Sequence, residues 1–211
     1  MVIQHNIAAN NAYRNLSSNA TNGQKNLEKL SSGYRINRSA DDAAGLAISE
    51  GMRSRIRGID QATVNAQDAI GLIQTAEGAL TETHAMLQRM VTLATQSANG
   101  TYNSTARAAI GEEVTALQAE LNRIASTTDY NGVKPLASTS KVTVQIGPTA
   151  TEVLKIDSAK MGASALGVDA ISVSTVSKAN SAITTINKAI NTVSTHRAKL
   201  GASQNRLEHT I

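Results

Sequence analysis

The chain has 211 residues and a formal net charge of +4, and its composition excludes several classes of protein. Cysteine is absent, which excludes disulfides, thiolate metal sites and cysteine nucleophiles, and the four histidines show no metal-ligand spacing. Lysine and arginine are scattered singly and lack the interleaved aromatics of a nucleic-acid-binding face, so we expect no nucleic-acid partner.

Residues 2–33 show a weak helical pattern. Small and apolar residues alternate at spacings of three and four, at Tyr13, Leu16, Ala20, Gly23, Leu27 and Leu30. The stretch also contains many Asn and Ser residues. We therefore expect a helix that is marginal in isolation and that orders only against a partner.

Residues 34–49 interrupt the helical pattern and predict an exposed connector. Gly33 can end the first helix, and Ser39 with Asp42 forms a candidate capping box for the next one. Asp41 and Asp42 are the nearest approach to paired carboxylates, but helix-start residues that complement the dipole are the better interpretation. Because no Ser, His and Asp grouping and no glycine-rich phosphate loop is found, we expect neither an enzyme nor a cofactor.

Residues 56–99 carry the strongest pattern, a heptad seam without proline. Its two rows are Ile59, Ala66, Ile73, Leu80, Leu87 and Ala94, then Ala62, Ala69, Ala76, Thr83 and Met90. This spacing predicts a helix in a coiled-coil seam. At about 1.5 Å of rise per residue the helix would be roughly 60 Å long, so it requires partner helices along most of its length. The sequence thus predicts an elongated helical bundle.

Two glycines of this helix, Gly71 and Gly78, lie seven residues apart and outside the seam. Each costs roughly 1 kcal/mol relative to Ala in a helix interior, and core packing does not explain that cost. A close-packed contact with a neighbouring subunit would explain it. The alternative is simple tolerance in a long, well-paired helix, and the sequence leaves both open.

The centre of the chain predicts a second helix followed by a small β-hairpin. The Asn-Gly turn at 99–100 ends the long helix, and a new seam follows at Ile110, Val114, Leu117, Leu121 and Ile124. KVTVQIG at 141–147 alternates apolar and polar residues, and EVLKID at 152–157 follows a GPTAT turn, which predicts two paired strands. The loop through residue 169 carries no strong signal.

The helical seam returns in the last part of the chain. It runs through Val176, Ala179, Ile183, Ile186, Ile190, Val193, Arg197, Leu200, Gln204, Leu207 and Ile211. No C-cap residue follows, so we expect either that the natural chain is longer or that the last turns fray.

Several separate blocks of this sequence together resemble bacterial flagellin, the filament subunit of the flagellum. They are MVIQHNIAANNAYRNL, then LEKLSSGYRINRSADDAAGLAISEGMRSRIRGIDQATVNAQDAIGLIQTAEGAL, LQRMVTLATQSANGT, DYNGVKPL and RAKLGASQNRLEHTI. The blocks cover essentially the whole chain. The resemblance implies a minimal flagellin, because the variable outer domains that many flagellins carry are absent between Asn131 and Val176.

The resemblance and the periodicity together imply a mainly α fold, an elongated bundle of long coiled-coil-like helices with one small β-hairpin. Residues 1–40 correspond to the N-terminal inner-tube helix and the start of the spoke. Residues 41–211 correspond to a rod-like wall domain. Its expected elements are a long helix at about 41–98, a helix at about 104–127, the hairpin at about 141–157 and a C-terminal helix at about 174–211.

The resemblance also implies two sets of assembly residues. The set on the inner-tube helix is Tyr13, Leu16, Leu27 and Leu30, and the set in the spoke is Arg35, Asn37, Asp41 and Asp42. The family has a further C-terminal inner-tube helix beyond the LEHTI block. We therefore expect a fragment that cannot by itself build a stable filament.

A receptor-binding set is implied by the block LQRMVTLATQSANGT, which resembles the part of flagellin that Toll-like receptor 5 recognises. The set is Gln88, Arg89, Leu93, Ile110 and Glu113, with Arg89 as the central anchor. Periodicity places Leu93 outside the seam or at its edge. The alternative is that a third helix widens the apolar face to include Leu93, and that Arg89 is an ordinary solvated charge.

The expected function is that of a structural subunit which polymerises into the flagellar filament for motility and is recognised by Toll-like receptor 5. The alternative is a truncated flagellin that acts only as a monomeric receptor or antibody ligand. The expected partners are further copies of the chain, an export chaperone and a cap protein. No apolar run is long enough to span a membrane, and no cleavable signal is present. The resemblance implies an extracellular protein that is secreted through the flagellar type III route.

Overall fold

A computed structural model describes residues 6–211, so the first five residues of the predicted N-terminal segment lie outside the described part. The elements in chain order are α1 (Ile7–Ser32), α2 (Ala43–Ser97), α3 (Ser104–Thr127), β1 (Val142–Gln145), β2 (Val153–Ile156) and α4 (Val176–Glu208). Long helices with one small antiparallel hairpin confirm the predicted mainly α fold class. The chain divides into two compact units, Met1–Arg57 and Gly58–Ile211.

In the first unit, α1 is a fully capped helix that buries none of its residues. Asn6 Oδ1 accepts a hydrogen bond from Ala9 N at 3.1 Å, which satisfies one free donor at the start of the helix. Gly33 ends the helix in the left-handed conformation at φ 72°, where its N–H donates to Lys29 O at 3.0 Å. Local signals therefore set the length of α1, and no buried apolar core supports it within the chain.

The start of α2 differs from the predicted capping box. Asp42 Oδ1 accepts a hydrogen bond from Gly45 N at 2.8 Å, so Asp42 is the N-cap and Ser39 lies in the turn before it. The interpretation of Ser39 as the cap was wrong, because Asp is at least as strong an N-cap residue as Ser and stands directly before Ala43. Gly45 matters here, since a Cβ at this position would collide with the Asp42 carboxylate.

In the second unit, the predicted α2 seam is buried from Ala62 onward. Ile73, Leu80, Leu87 and Met90 are completely buried, whereas Ile59, the first residue of the series, is 47% exposed. The one polar seam residue, Thr83, satisfies its hydroxyl by donating to Ala79 O at 3.0 Å. Residues from α3 and α4 complete the core, with Ile110, Val114, Leu121, Ile186, Val193, Leu200 and Leu207 among them.

The core face of α4 is rotated relative to the predicted seam. One row is as predicted, and its buried members are Ala179, Ile186, Val193, Leu200 and Leu207. The second buried row is Ala182, Ala189 and His196, and the predicted Ile183, Ile190 and Arg197 are only partly buried. The loop after the hairpin contributes to this difference, because its Ala159 and Met161 line the same small cavity as His196.

The β-hairpin pairs Val142 with Ile156 and Gln145 with Val153. The segments that flank it carry much of the remaining core, with Leu136, Met161, Ala163 and Val168 almost completely buried. Polar side chains of α3 hold the backbone of this region, since Gln118 Nε2 donates to Val168 O at 2.7 Å. The loop that lacked sequence signals is therefore an integral part of the fold.

The two glycines that the sequence left unexplained have different surroundings in the structure. A Cβ on Gly71 would lie 2.9 Å from the Tyr130 hydroxyl oxygen, so this glycine makes room for a side chain of the same chain. Gly78 has open space around its Cβ position. Intrachain packing therefore explains Gly71 alone.

Candidate functional site

The first candidate site is an apolar row on α1. Tyr13, Leu16, Leu27 and Leu30 are between 66% and 80% exposed, although large apolar side chains usually lie in a core. Their spacing of three, eleven and three residues places them on one face of the helix. Together they expose on the order of 500 Å² of apolar surface, a size that marks interaction sites on soluble proteins.

The second candidate site is the connector between α1 and α2, where polar contacts replace a core. Asn37 Oδ1 accepts a hydrogen bond from Ser32 Oγ at 2.9 Å. Arg38 Nε lies 2.9 Å from Glu28 Oε1, and the guanidinium of Arg53 stacks 4.2 Å from the centroid of the Tyr34 ring. Sequence patterns do not predict this cation–π contact, because the two residues are nineteen positions apart.

The four predicted spoke residues play different parts in this connector. Asp41 accepts the backbone N–H groups of Asn37 and Arg38, each at 3.4 Å. Hydrogen bonding from the Asn37 N–H is the main cause that lowers the pKa of the Asp41 carboxyl, and the nearby Lys29 charge acts in the same direction. Asp42 caps α2, and Arg35 is exposed and makes no ion pair within residues 6–211.

The third candidate site joins α2 and α3 through one ion pair. Arg89 donates from Nε and Nη2 to Glu113 Oε1, at 2.8 and 2.7 Å. The two side chains are 54% and 44% exposed, so the pair lies at the surface and stabilises the fold by about 0–1 kcal/mol. Gln88 is exposed beside it, where its Nε2 lies 3.0 Å from His84 Nε2. The structure thus brings Arg89 and Glu113 together, and Gln88 is exposed next to Arg89 in the chain.

The two apolar members of the predicted receptor set lie elsewhere. Leu93 is 2% exposed and Ile110 is 8% exposed, and both belong to the core of the second unit. This is the arrangement of the alternative interpretation, in which further packing widens the apolar face of α2 to include Leu93. A partner that docks on this surface therefore meets polar side chains.

Neither a cluster of metal-ligand side chains nor a membrane-spanning helix is found in residues 6–211. Within residues 6–211, no group of three or more His, Asp or Glu side chains is placed to hold a metal ion. Over the same residues, every helix is too short or too polar to cross a bilayer.

Comparison with known proteins gives one consistent result. The family described as the bacterial flagellin N-terminal helical region matches residues 3–141. A flagellin of Halalkalibacterium halodurans is 50% identical over 214 residues, which cover 100% of this chain and 79% of the relative. A flagellin of Bacillus subtilis is 47% identical over 246 residues, which cover 100% of this chain and 81% of the relative.

Solved structures agree with the sequence relatives. The crystal structure of Bacillus cereus flagellin has a TM-score of 0.64 and 29% identity, and the match covers 70% of this chain and 86% of that one. A FliC structure from Burkholderia pseudomallei has a TM-score of 0.58 at 20% identity, which is a likeness of fold alone.

Proposed function

The chain belongs to the flagellin family, whose members are structural subunits of the extracellular flagellar filament and not enzymes, and we propose that its α1 face mediates polymerisation. The observation that carries this proposal is the row of Tyr13, Leu16, Leu27 and Leu30, which remains exposed in the single chain. An apolar row of this size requires a protein partner to remove it from water.

Further copies of the chain are the partner that suits this face. Because no residue of α1 is buried, the energy that orders α1 has to come from contacts made in assembly. Burying one leucine contributes about 1.5–3 kcal/mol, so the row supplies enough for strong helix–helix contacts. In the family such contacts line the inner tube of the filament, and we propose the same role for residues 1–40.

The test compares two substitutions on opposite faces of α1, each made in the chain joined to a flagellin-type C-terminal helix, because we expect the 211-residue chain alone not to build a stable filament. Leu16→Asn removes an apolar group from the row, and Ser18→Asn introduces the same side chain about half a turn away. We expect Leu16→Asn to raise the critical concentration for seeded polymerisation roughly thirtyfold, corresponding to about 2 kcal/mol per subunit. Ser18→Asn should polymerise as the unsubstituted protein does. Equal critical concentrations for the two variants would refute the role of the row.

We propose in addition that Toll-like receptor 5 recognises the surface around Arg89. Arginine is enriched among the residues that dominate binding energy, and Arg89 is already held in one orientation by Glu113. A side chain held in place before binding loses less conformational entropy on binding. Leu93 and Ile110 lie in the core of the second unit, so we revise their role from receptor contacts to core residues.

A similar ion pair elsewhere on α3 provides a matched control for the receptor proposal. Arg123 pairs with Glu120, and their side chains are 60% and 41% exposed. We expect Arg89→Ala to weaken binding to the receptor ectodomain by about 2 kcal/mol, or roughly thirtyfold. Arg123→Ala should leave the affinity unchanged. A titration in which both variants bind as the unsubstituted protein does would remove Arg89 from the site.

The same apolar row bears on the partners that act before assembly. A subunit that exposes this row is prone to association at the place of synthesis, so we propose that an export chaperone covers apolar surface until export. Export through the flagellar type III route and folding under a cap protein complete the proposed path to the filament. Crosslinking of the unexported subunit would identify the chaperone, and a complex that forms equally with the Leu16→Asn variant would exclude the α1 row from that contact.

A further inference from the structure

Three Asn-Gly dipeptides occur in the chain, and the structure holds them in three different ways. They are Asn22-Gly23 within α1, Asn99-Gly100 in the turn after α2, and Asn131-Gly132 in the turn before the hairpin. In such a dipeptide the glycine backbone nitrogen can attack the asparagine side-chain carbonyl carbon. The reaction requires a free N–H and a side chain folded over that nitrogen, so local structure decides which site reacts.

The turn after α2 meets both requirements. Asn99 and Gly100 are exposed, and within residues 6–211 the N–H of Gly100 has no hydrogen-bond partner. Thr101 N donates to Asn99 Oδ1 at 3.2 Å, which closes an Asx-turn that holds the Asn99 side chain over the Gly100 nitrogen. The same N–H polarises the carbonyl under attack and stabilises the negative charge that develops on its oxygen.

Arg107 activates the attacking nitrogen from the other side of the turn. Its Nη2 donates to Asn99 O at 2.9 Å, and its Nε donates to Ser97 O at 2.9 Å. Asn99 O is the carbonyl oxygen of the peptide bond that contains the Gly100 nitrogen. When that nitrogen loses its proton, the negative charge is shared with this oxygen, so the guanidinium favours the deprotonated form.

We propose that Asn99 is a site of spontaneous covalent modification, at which the Gly100 nitrogen displaces the side-chain amide. The Gly100 nitrogen gives its proton to solvent and forms a bond to Asn99 Cγ. The bond from Cγ to the side-chain nitrogen breaks, and ammonia leaves with a proton from solvent. Water then opens the cyclic imide at either carbonyl, which gives aspartate or isoaspartate, and no oxidant or other co-reactant is required.

The turn before the hairpin is protected against this reaction. The N–H of Gly132 donates to Asp129 Oδ2 at 3.0 Å, so the nucleophile is engaged and a nearby carboxylate disfavours its deprotonation. Tyr130 and Val133 close the turn with two backbone hydrogen bonds of 3.0 Å each. Asn131 adopts φ 49° and Gly132 φ 82°, the left-handed pair of a tight hairpin turn.

The product at Asn99 would change the charge and the backbone at the end of α2. A new carboxylate would lie beside the Arg107 guanidinium, and isoaspartate would insert an additional backbone carbon between α2 and α3. The change is irreversible, so a subunit that persists outside the cell would accumulate it with age.

The test is incubation of the folded 211-residue chain in mildly alkaline buffer, followed by peptide mapping that separates asparagine, aspartate and isoaspartate. We expect conversion of Asn99 to exceed that of Asn131 by roughly tenfold or more, because Asn131 has to lose a hydrogen bond to a charged group first. Conversion of Asn131 at an equal or higher rate than Asn99 would overturn the proposal.

Three variants separate the contributions of the neighbouring groups. Gly100→Ala, at a position with open space around the added Cβ, should slow conversion of Asn99 and leave Asn131 unchanged. Arg107→Met should also slow conversion of Asn99 while the far-UV circular dichroism stays the same. Asp129→Ala should accelerate conversion of Asn131 alone. An unchanged or faster rate at Asn99 in Arg107→Met would overturn the activating role of Arg107.

Discussion

The substitution Leu93→Ala tests whether Leu93 is a receptor contact at the surface or a residue of the core. Leu93 is 2% exposed, so Leu93→Ala removes three buried carbon atoms. At about 0.8 kcal/mol per methylene group, the lost transfer free energy is about 2.4 kcal/mol. The remaining cavity adds a further cost, and we expect the free energy of unfolding to fall by about 3 kcal/mol, within the range for such substitutions.

The measurement is urea unfolding of Leu93→Ala followed by far-UV circular dichroism, with Thr92→Ala as the control. Thr92 is exposed on the same helix, and alanine has the higher helix propensity, so this variant should be equal to the unsubstituted protein or slightly more stable. An unfolding midpoint of Leu93→Ala that matches the control would refute the placement of Leu93 in the core. Receptor binding by Leu93→Ala should be measured only under conditions in which the variant is folded.

Three further predictions concern pH, the glycines and α1. Burial lowers the pKa of His196 below its ordinary value of 6.5, so the unfolded chain binds more protons and stability should decrease as pH falls below that value. Urea unfolding across this range should show a smaller decrease for His196→Gln. Gly71→Ala should destabilise the fold by displacing Tyr130, whereas Gly78→Ala should stabilise it by about 1 kcal/mol. If Gly78→Ala subunits are more stable yet assemble poorly, Gly78 is a contact between subunits. Hydrogen exchange of the free subunit should be faster across α1 than across the buried part of α2, and strong protection of α1 would contradict its dependence on assembly.

Heptad periodicity predicted which residues of α2 face the core, but it could not predict how wide that face is. Spacing alone identifies one stripe of a helix, and the width of the buried stripe depends on how many elements pack against it. Leu72 and Leu93 lie beside the predicted rows, and both are buried in the same core as residues of α3 and α4. Leu93 of the receptor set was misplaced for this reason, whereas Ile110 lies in the predicted α3 seam and is buried as that seam predicts.

The loop between the hairpin and α4 was the other feature that sequence patterns could not reveal. Val168 N donates to Ala163 O at 2.8 Å, and Ala163 N donates to Asn122 Oδ1 at 2.9 Å. These hydrogen bonds satisfy individual N–H and C=O groups of an irregular segment, so the sequence of that segment shows no periodic pattern. The second buried row of α4 follows from the same region, because the neighbours of His196 come partly from this loop.

The exposure of apolar side chains changes along α2. Ile48, Met52 and Ile56 are between 58% and 62% exposed, and their spacing of four residues places them close to one another on the helix surface. From Ala62 onward the same helix buries its seam. The second part has partners within the chain, because residues of α3 and α4 share its core, whereas the first part buries none of its residues. The residues before Ala62 therefore leave apolar surface exposed in the single chain, and the residues after it supply the core of the second unit.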